Sequence, residues 1–179
     1  MKRILALAAG CMVLTMSGMI TLPGQEASAQ EPGTLPAEWL GQGRSDYMEY
    51  CAGCHGVNGK SAPALVPELR GRVGYFMCTK SGRDYLVQLP NVAHAPIPGE
   101  AELANLLNYV VFVLGDGSAP DGTRPFTPRE VGKLRLNPIQ NRSLVGERAR
   151  LVQQLVSDCG APASLAGFFE GDAHLSAQR

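Results

Sequence analysis

The chain is 179 residues long, with 16 basic and 16 acidic side chains and 45% hydrophobic residues. A balanced charge excludes the basic field by which proteins hold nucleic acid. The length predicts one ordinary domain with enough chain to bury a core.

Lys2 and Arg3 precede an apolar run from Ile4 to Ile20, and Ala27-Ser28-Ala29 follows before Gln30. These are the parts of a secretory signal peptide in the right order. The expectation is cleavage after Ala29, removing residues 1–29 with Cys11, and export to a bacterial periplasm. The apolar run is short for a bilayer and is broken by Thr15, Ser17 and Gly18, so no membrane span is expected in the mature chain. Losing Lys2, Arg3 and Glu26 leaves a formal net charge of −1.

Residues 30–42, with Pro32, Gly33, Pro36 and Gly41, read as an extended leader. From Gly43 the pattern Gly43-x-x-x-Tyr47-x-x-x-Cys51 sets a glycine, a ring and a thiol on one helical stripe, which predicts a close crossing by another helix. The stripe leads into Tyr50-Cys51-Ala52-Gly53-Cys54-His55. In an exported chain, C-x-x-C-H is the attachment signature of c-type haem. Cys51 and Cys54 stand three apart on a helical turn, where both thiols can reach the vinyl groups of one haem, and His55 then falls beneath the iron. One covalent haem c is therefore expected. A redox pair, a half zinc site and a structural disulfide are the competing readings. A zinc site needs four ligands, and beyond the motif the exported chain offers only Cys78, Cys159, His94 and His174, scattered singly.

Residues 56–63 are glycine-rich loop, and Val66-Pro67-Glu68-Leu69-Arg70-Gly71 adds a rigid turn. A proline carbonyl suits the ring N–H of a haem-ligating histidine; Pro67 is the candidate acceptor, with Pro63 second. Ser81 reads as the cap of a short helix through Tyr85-Leu86-Val87 that Pro90 ends, and residues 90–99 as an irregular loop that is not helical. Glu100 to Leu114 carries Leu103, Leu106, Leu107, Val110, Val111 and Leu114 at helical spacing. This is the natural partner for the Gly43/Tyr47 stripe. Residues 115–125 read as a flexible connector, and Thr127-Pro128-Arg129-Glu130 opens a helix through Val131 and Leu134. A last helix is expected from about Ser143 to Val156, with Leu144, Val145, Leu151, Leu155 and Val156 buried and Arg142, Arg148 and Arg150 in solvent. Residues from Gly160 on read as poorly ordered. Cys78 and Cys159 can pair in an oxidising compartment or remain free.

The order of these parts, from Gly43-x-x-x-Tyr47-x-x-x-Cys51-x-x-Cys54-His55 through Pro67-x-Leu69-x-Gly71 to the helix carrying Leu106 and Tyr109, resembles the class I (mono-haem, mitochondrial-type) cytochrome c domain over about residues 41–115. The resemblance implies an all-α cytochrome c fold, three core helices and long loops around a covalent haem, with a C-terminal helical extension. It implies Cys51 and Cys54 as thioether attachments, His55 as proximal iron ligand, Pro67 as its acceptor, and Gly43, Tyr47, Leu106 and Tyr109 as the helix crossing. The family places a methionine before the proline pair of its ligand loop, where this chain has His94 before Pro96 and Pro98. His94 is thus the expected distal ligand, with Met77 the runner-up and an open site the third reading. The expected organisation is residues 1–29 as signal peptide, 30–115 as cytochrome domain with its leader, and 116–179 as connector, helices packed on the core and disordered tail.

Iron held by two protein ligands has no position for substrate, so the implied role is an electron carrier and not an enzyme. It would relay single electrons to or from a redox partner such as a periplasmic dehydrogenase or oxidase. The alternative is a haem enzyme or gas sensor with an open distal site, in which His94 is the residue of that loop suited to acid–base work.

Overall fold

The computed structural model describes residues 35–61, 66–140 and 143–169. The expected signal segment, Pro63, Arg142, His174 and the tail lie outside the described residues. Among the described residues every regular element is helical.

Helix α1 (Ala37–Tyr50) begins directly after Pro36, so helix replaces the extended leader six residues before Gly43. Pro36 has no N–H to lose at that boundary and, with its fixed φ, leads naturally into a first turn. α1 crosses α5 (Glu100–Asn108) at Gly43, where an added Cβ would stand 2.3 Å from the Asn105 carbonyl oxygen. Glycine is required there by proximity. One turn on, the rings of Tyr47 and Tyr109 meet with centroids 5.7 Å apart. α5 runs without a break into a wider π turn over Tyr109–Leu114, and the Gly115 N–H reaches back to the Val110 carbonyl at 2.8 Å. The extra residue in that turn alters the helical phase, and Val110 and Val111 are both buried.

After the motif helix α2 (Ala52–His55), a 3₁₀ stretch over Val73–Cys78 buries Val73, Phe76 and Met77. The sequence carries no periodic signal for it. Helix α3 (Lys80–Gln88) is capped by the Thr79 hydroxyl, which accepts from the Gly82 N–H at 3.0 Å, so Ser81 lies inside the helix and is not its cap. Pro90 ends α3, yet it also opens a one-turn helix, α4 (Pro90–Ala93), within the stretch expected to be without helix. Proline at the first helical position sacrifices no hydrogen bond.

The connector after α5 is pinned. Asn108, 1% exposed, donates to the Phe126 carbonyl at 3.0 Å and accepts from the Phe126 N–H at 2.7 Å. Helix α6 (Pro128–Arg135) follows, with the Thr127 hydroxyl accepting from the Glu130 N–H. Arg83 of α3 clamps this region through both Glu130 oxygens and lies over the Phe126 ring, 4.3 Å from its centroid.

Helix α7 (Leu144–Cys159) is capped by Ser143 and closed by Gly160 in the left-handed conformation at φ 64°. Leu151, Val152 and Leu155 are buried. Two expected positions are reversed: Arg148 is only 5% exposed, whereas Val145 is 62% exposed. A disulfide joins Cys159 to Cys78 and fastens the end of α7 to the 3₁₀ stretch. Beyond Gly160 the chain forms a further 3₁₀ turn, Ala163–Ala166, with Leu165 1% exposed, in place of the poor order expected there.

Candidate functional site

The motif hangs from the end of α1. The N–H groups of Cys54 and His55 both point to the Cys51 carbonyl, at 3.2 and 3.0 Å, and the Gly56 N–H to that of Ala52. Gly56 then turns at φ 74°, a conformation in which a side chain would be strained. Its carbonyl accepts from the Tyr47 hydroxyl at 2.5 Å, so the α1 stripe and the loop after the motif brace each other. Gly59 repeats the positive φ, and its carbonyl accepts from the N–H groups of Leu69 and Arg70. That pair of bonds lays the Pro67 turn alongside His55. The His55 Nδ1–H donates to the Pro67 carbonyl at 3.1 Å.

His55, Cys51 and Pro67 line a cavity of about 350 Å³. Leu106, Leu107, Val110 and Val111 from the α5 stretch form one part of its wall, and Tyr85, Leu86 and Leu89 of α3 another. The C-terminal part of the chain adds Leu144, Arg148, Leu165 and Phe168. The volume lies in the range of ligand sites, and the mainly apolar lining fits a flat, apolar cofactor.

Electrostatics fit the same use. Burial pushes the half-buried Cys51 thiol up to about 11, with smaller contributions from Cys54 and Asp46. A redox-active C-x-x-C needs a thiol lowered toward the thiolate, so the shift runs against that reading. Burial also pulls His55 below its ordinary value, opposed by the hydrogen bond to Pro67. With Nδ1 turned to the Pro67 carbonyl as donor, Nε2 is left as the lone-pair nitrogen that a metal takes from a neutral imidazole. Cys54 is exposed, and neither motif cysteine is in a disulfide. Cys51, His55 and Pro67 thus come together with the residue types that a covalently attached haem requires.

The two expected distal ligands are not brought to this cavity. His94 is exposed and ends α4, and it is not among the lining residues. The one-turn helix opened by Pro90 presents Pro90, Asn91 and Val92 to the cavity instead. The Arg135 side chain then holds the carbonyls of Ala93 and Ala95, each at 3.3 Å. Met77 is buried in the 3₁₀ stretch and also lies off the cavity wall.

Two buried residues on the wall escaped sequence reasoning. Arg72 is 7% exposed and Arg148 5%. For Arg148 a signal existed: Leu144, Arg148, Leu151 and Leu155 share one helical stripe, so the arginine occupies a core position of its helix. Arg72 had no comparable signal.

No family model matches the chain, and no solved structure does. Relatives do exist. The chain is 29% identical over 118 residues to cytochrome c-552 of Thermus thermophilus, an alignment covering 56% of this chain and 90% of that protein. It is likewise 29% identical over 118 residues to the cytochrome c-552 of a named strain of the same organism, covering 56% of this chain and 80% of that one. The helical architecture of the described residues is consistent with an all-α cytochrome c fold, and the similarity supports a c-type cytochrome.

Proposed function

We propose that the chain is an exported class I cytochrome that carries one haem c and relays single electrons in the periplasm, to or from a redox enzyme such as a dehydrogenase or oxidase. Cys51 and Cys54 would attach the haem, and His55 would bind its iron. When bound there, the haem supplies a one-electron couple at iron, and the protein tunes it through ligation and burial. The single observation that carries the reading is the His55 ring held by the Pro67 carbonyl, 3.1 Å from its Nδ1, beside Cys51 on the wall of a mainly apolar cavity. That bond sets the tautomer and the ring orientation, and a carbonyl partner raises the basicity of the liganding nitrogen. The mainly apolar wall suits the body of a haem, and the Tyr47 bond to Gly56 holds the motif against α1.

The position of the distal ligand favours a second reading. Because His94 and Met77 both lie off the cavity wall, an iron with an open sixth position, as in a haem enzyme or gas sensor, is supported by geometry. Ligation by His94 would require the segment after α4 to turn inward and leave its contacts with Arg135.

The experiment is a redox titration of purified holoprotein followed by its visible and near-infrared spectrum. A reversible one-electron transition is expected, with haem retained after denaturation through Cys51 and Cys54. Protein carrying no covalent haem, or showing no reversible transition, would overturn the carrier reading. A high-spin spectrum that responds to carbon monoxide would select the open-site reading; a low-spin spectrum turned high-spin in His94→Ala would restore His94 as ligand.

A further inference from the structure

The cavity wall opposed to simple apolar packing is the part built from Arg148. Its guanidinium sits among apolar side chains, with Cζ 5.9 Å from the centroid of the Phe76 ring and 5.3 Å from that of Phe168. Its hydrogen bonds go to backbone alone: Nη2 donates to the carbonyls of Leu165 at 2.9 Å and Gly167 at 3.3 Å, and Nη1 to that of Ala166 at 3.4 Å. Nε makes no bond to the described residues, and no carboxylate among them lies within ion-pair distance of Arg148.

A second guanidinium comes to the same place. Arg72 Nη2 donates to the Gly167 carbonyl at 2.8 Å, the oxygen that Arg148 also uses, and to that of Ser164 at 2.8 Å. Two buried cations within bonding distance of one carbonyl oxygen repel each other. Burial holds Arg148 down to about 10, Tyr85 raises it slightly, and the nearby Arg72 lowers it further. Carbonyl dipoles and ring faces offset only part of the desolvation cost of a charge that stays ionised near pH 7. For Arg148 the usual solution in a protein interior is an anion, and the planar fork of arginine matches the two oxygens of a carboxylate.

We propose that Arg148, with Arg72 beside it, is the binding site for a propionate carboxylate of the haem, so that the C-terminal part of the chain supplies the charge partner of the cofactor. The inference rests on the haem reading above. It gives the last helix a definite role: α7 brings Arg148 to the cavity, the disulfide to Cys78 holds α7 in place, and the Glu68 N–H, bonded to the Phe168 carbonyl at 2.8 Å, ties the loop after α7 to the Pro67 turn. A guanidinium beside the haem disfavours the additional positive charge of ferric iron, most strongly where water is excluded. Its removal should therefore lower the reduction potential.

The test uses the full holoprotein and compares wild type with Arg148→Met and Arg148→Lys. The readouts are the midpoint potential, the resonance Raman bands of the propionate bends, and nuclear Overhauser contacts in the ferrous protein. Expected for Arg148→Met is a shift of the ferric/ferrous equilibrium toward ferric of roughly tenfold, or about 59 mV for a one-electron couple, with a displaced propionate band. Arg148→Lys keeps the charge and should retain most of the potential. Should Arg148→Met fail to fold, wild type decides alone, since contacts between the Arg148 guanidinium protons and the propionate methylenes are expected there. A folded, haem-loaded Arg148→Met with wild-type potential and propionate band, or a wild-type guanidinium in contact with residues 165–168 alone, would overturn the proposal and leave Arg148 a brace of that loop. Absence of covalent haem in wild type would instead overturn the reading beneath it.

Discussion

Replacing both bridged cysteines, Cys78→Ala with Cys159→Ala, tests how the C-terminal segment is held on the core. The bond closes a loop with a sequence separation of 81 residues. In the chain-entropy picture such a loop stabilises the folded state by about 4.5 kcal/mol at 25 °C. Residual structure in the unfolded chain lowers the figure, because part of the loop is already compact. With a urea m-value of about 2 kcal/mol per molar for a domain of this size, the midpoint should fall by up to about 2 M. The loss should not be spread evenly. The bond joins the end of the 3₁₀ stretch to the end of α7, so amide protection over residues 144–168 should fall more than that of α1 and α5. Equilibrium urea unfolding of oxidised holoprotein, paired with hydrogen exchange, measures both. A loss below about 1 kcal/mol, with protection unchanged over 144–168, would refute the reasoning and show that packing of Leu151, Val152 and Leu155 with the carbonyl bonds of Arg72 and Arg148 suffices.

Gly43→Ala places a methyl where the Asn105 carbonyl oxygen would be 2.3 Å away, forcing α1 and α5 apart; a loss of about 1–3 kcal/mol is expected in thermal unfolding, and unchanged stability would deny the close crossing. Asn108→Ala leaves the buried N–H and carbonyl of Phe126 without their partners, which should cost about 2–4 kcal/mol by urea titration; a loss within error of zero would mean water replaces the amide. Glu130→Gln removes the charge clamped by Arg83, a partly buried pair expected to contribute about 1–2 kcal/mol. The Arg83 hydrogen bond and charge hold the Glu130 carboxyl below its ordinary 4.5, against a smaller opposing effect of burial. Its contribution is therefore complete above about pH 5 and is lost as pH falls through the lowered folded value. The variant's stability should be flatter than wild type over that acid range, and parallel curves would remove Glu130 from the account.

What could be read from the chain depended on whether one residue type had one physical use. Gly43 and Tyr47 share a stripe with Cys51, and glycine in a helix interior has little use except close approach, so the crossing with Leu106 and Tyr109 was legible. The C-x-x-C-H spacing was legible for the same reason. Element boundaries were less so. Pro90 both stops α3 and starts α4, and proline serves either end of a helix; Thr79 and Ser81 both suit a cap, and only the tertiary position of the helix chose Thr79. The 3₁₀ stretch Val73–Cys78 has neither helical nor strand period, since its shape follows from Gly74 lying against Ser118 and Ala119. The placement of His94 was the least legible part. Proximity of His94 in sequence to a proline pair says where a loop lies, but the facing of one side chain in it depended on a single turn of α4 and on three carbonyls gathered by Arg135.

Arg148 explains why a charge-based reading of α7 failed. A helix face is assigned to solvent because a charged side chain loses hydration when buried, and that rule treats each residue alone. Here the compensating groups are far off in sequence: the carbonyls of residues 165–167 follow a left-handed turn at Gly160, and the Phe76 ring comes from the 3₁₀ stretch. None can be inferred from α7 itself. Its stripe through Leu144, Leu151 and Leu155 nonetheless required that whatever stood at 148 be buried. When periodicity and polarity disagree at one position, periodicity wins if a core already needs the neighbours on either side, and the buried charge then marks a place where the fold has something to hold.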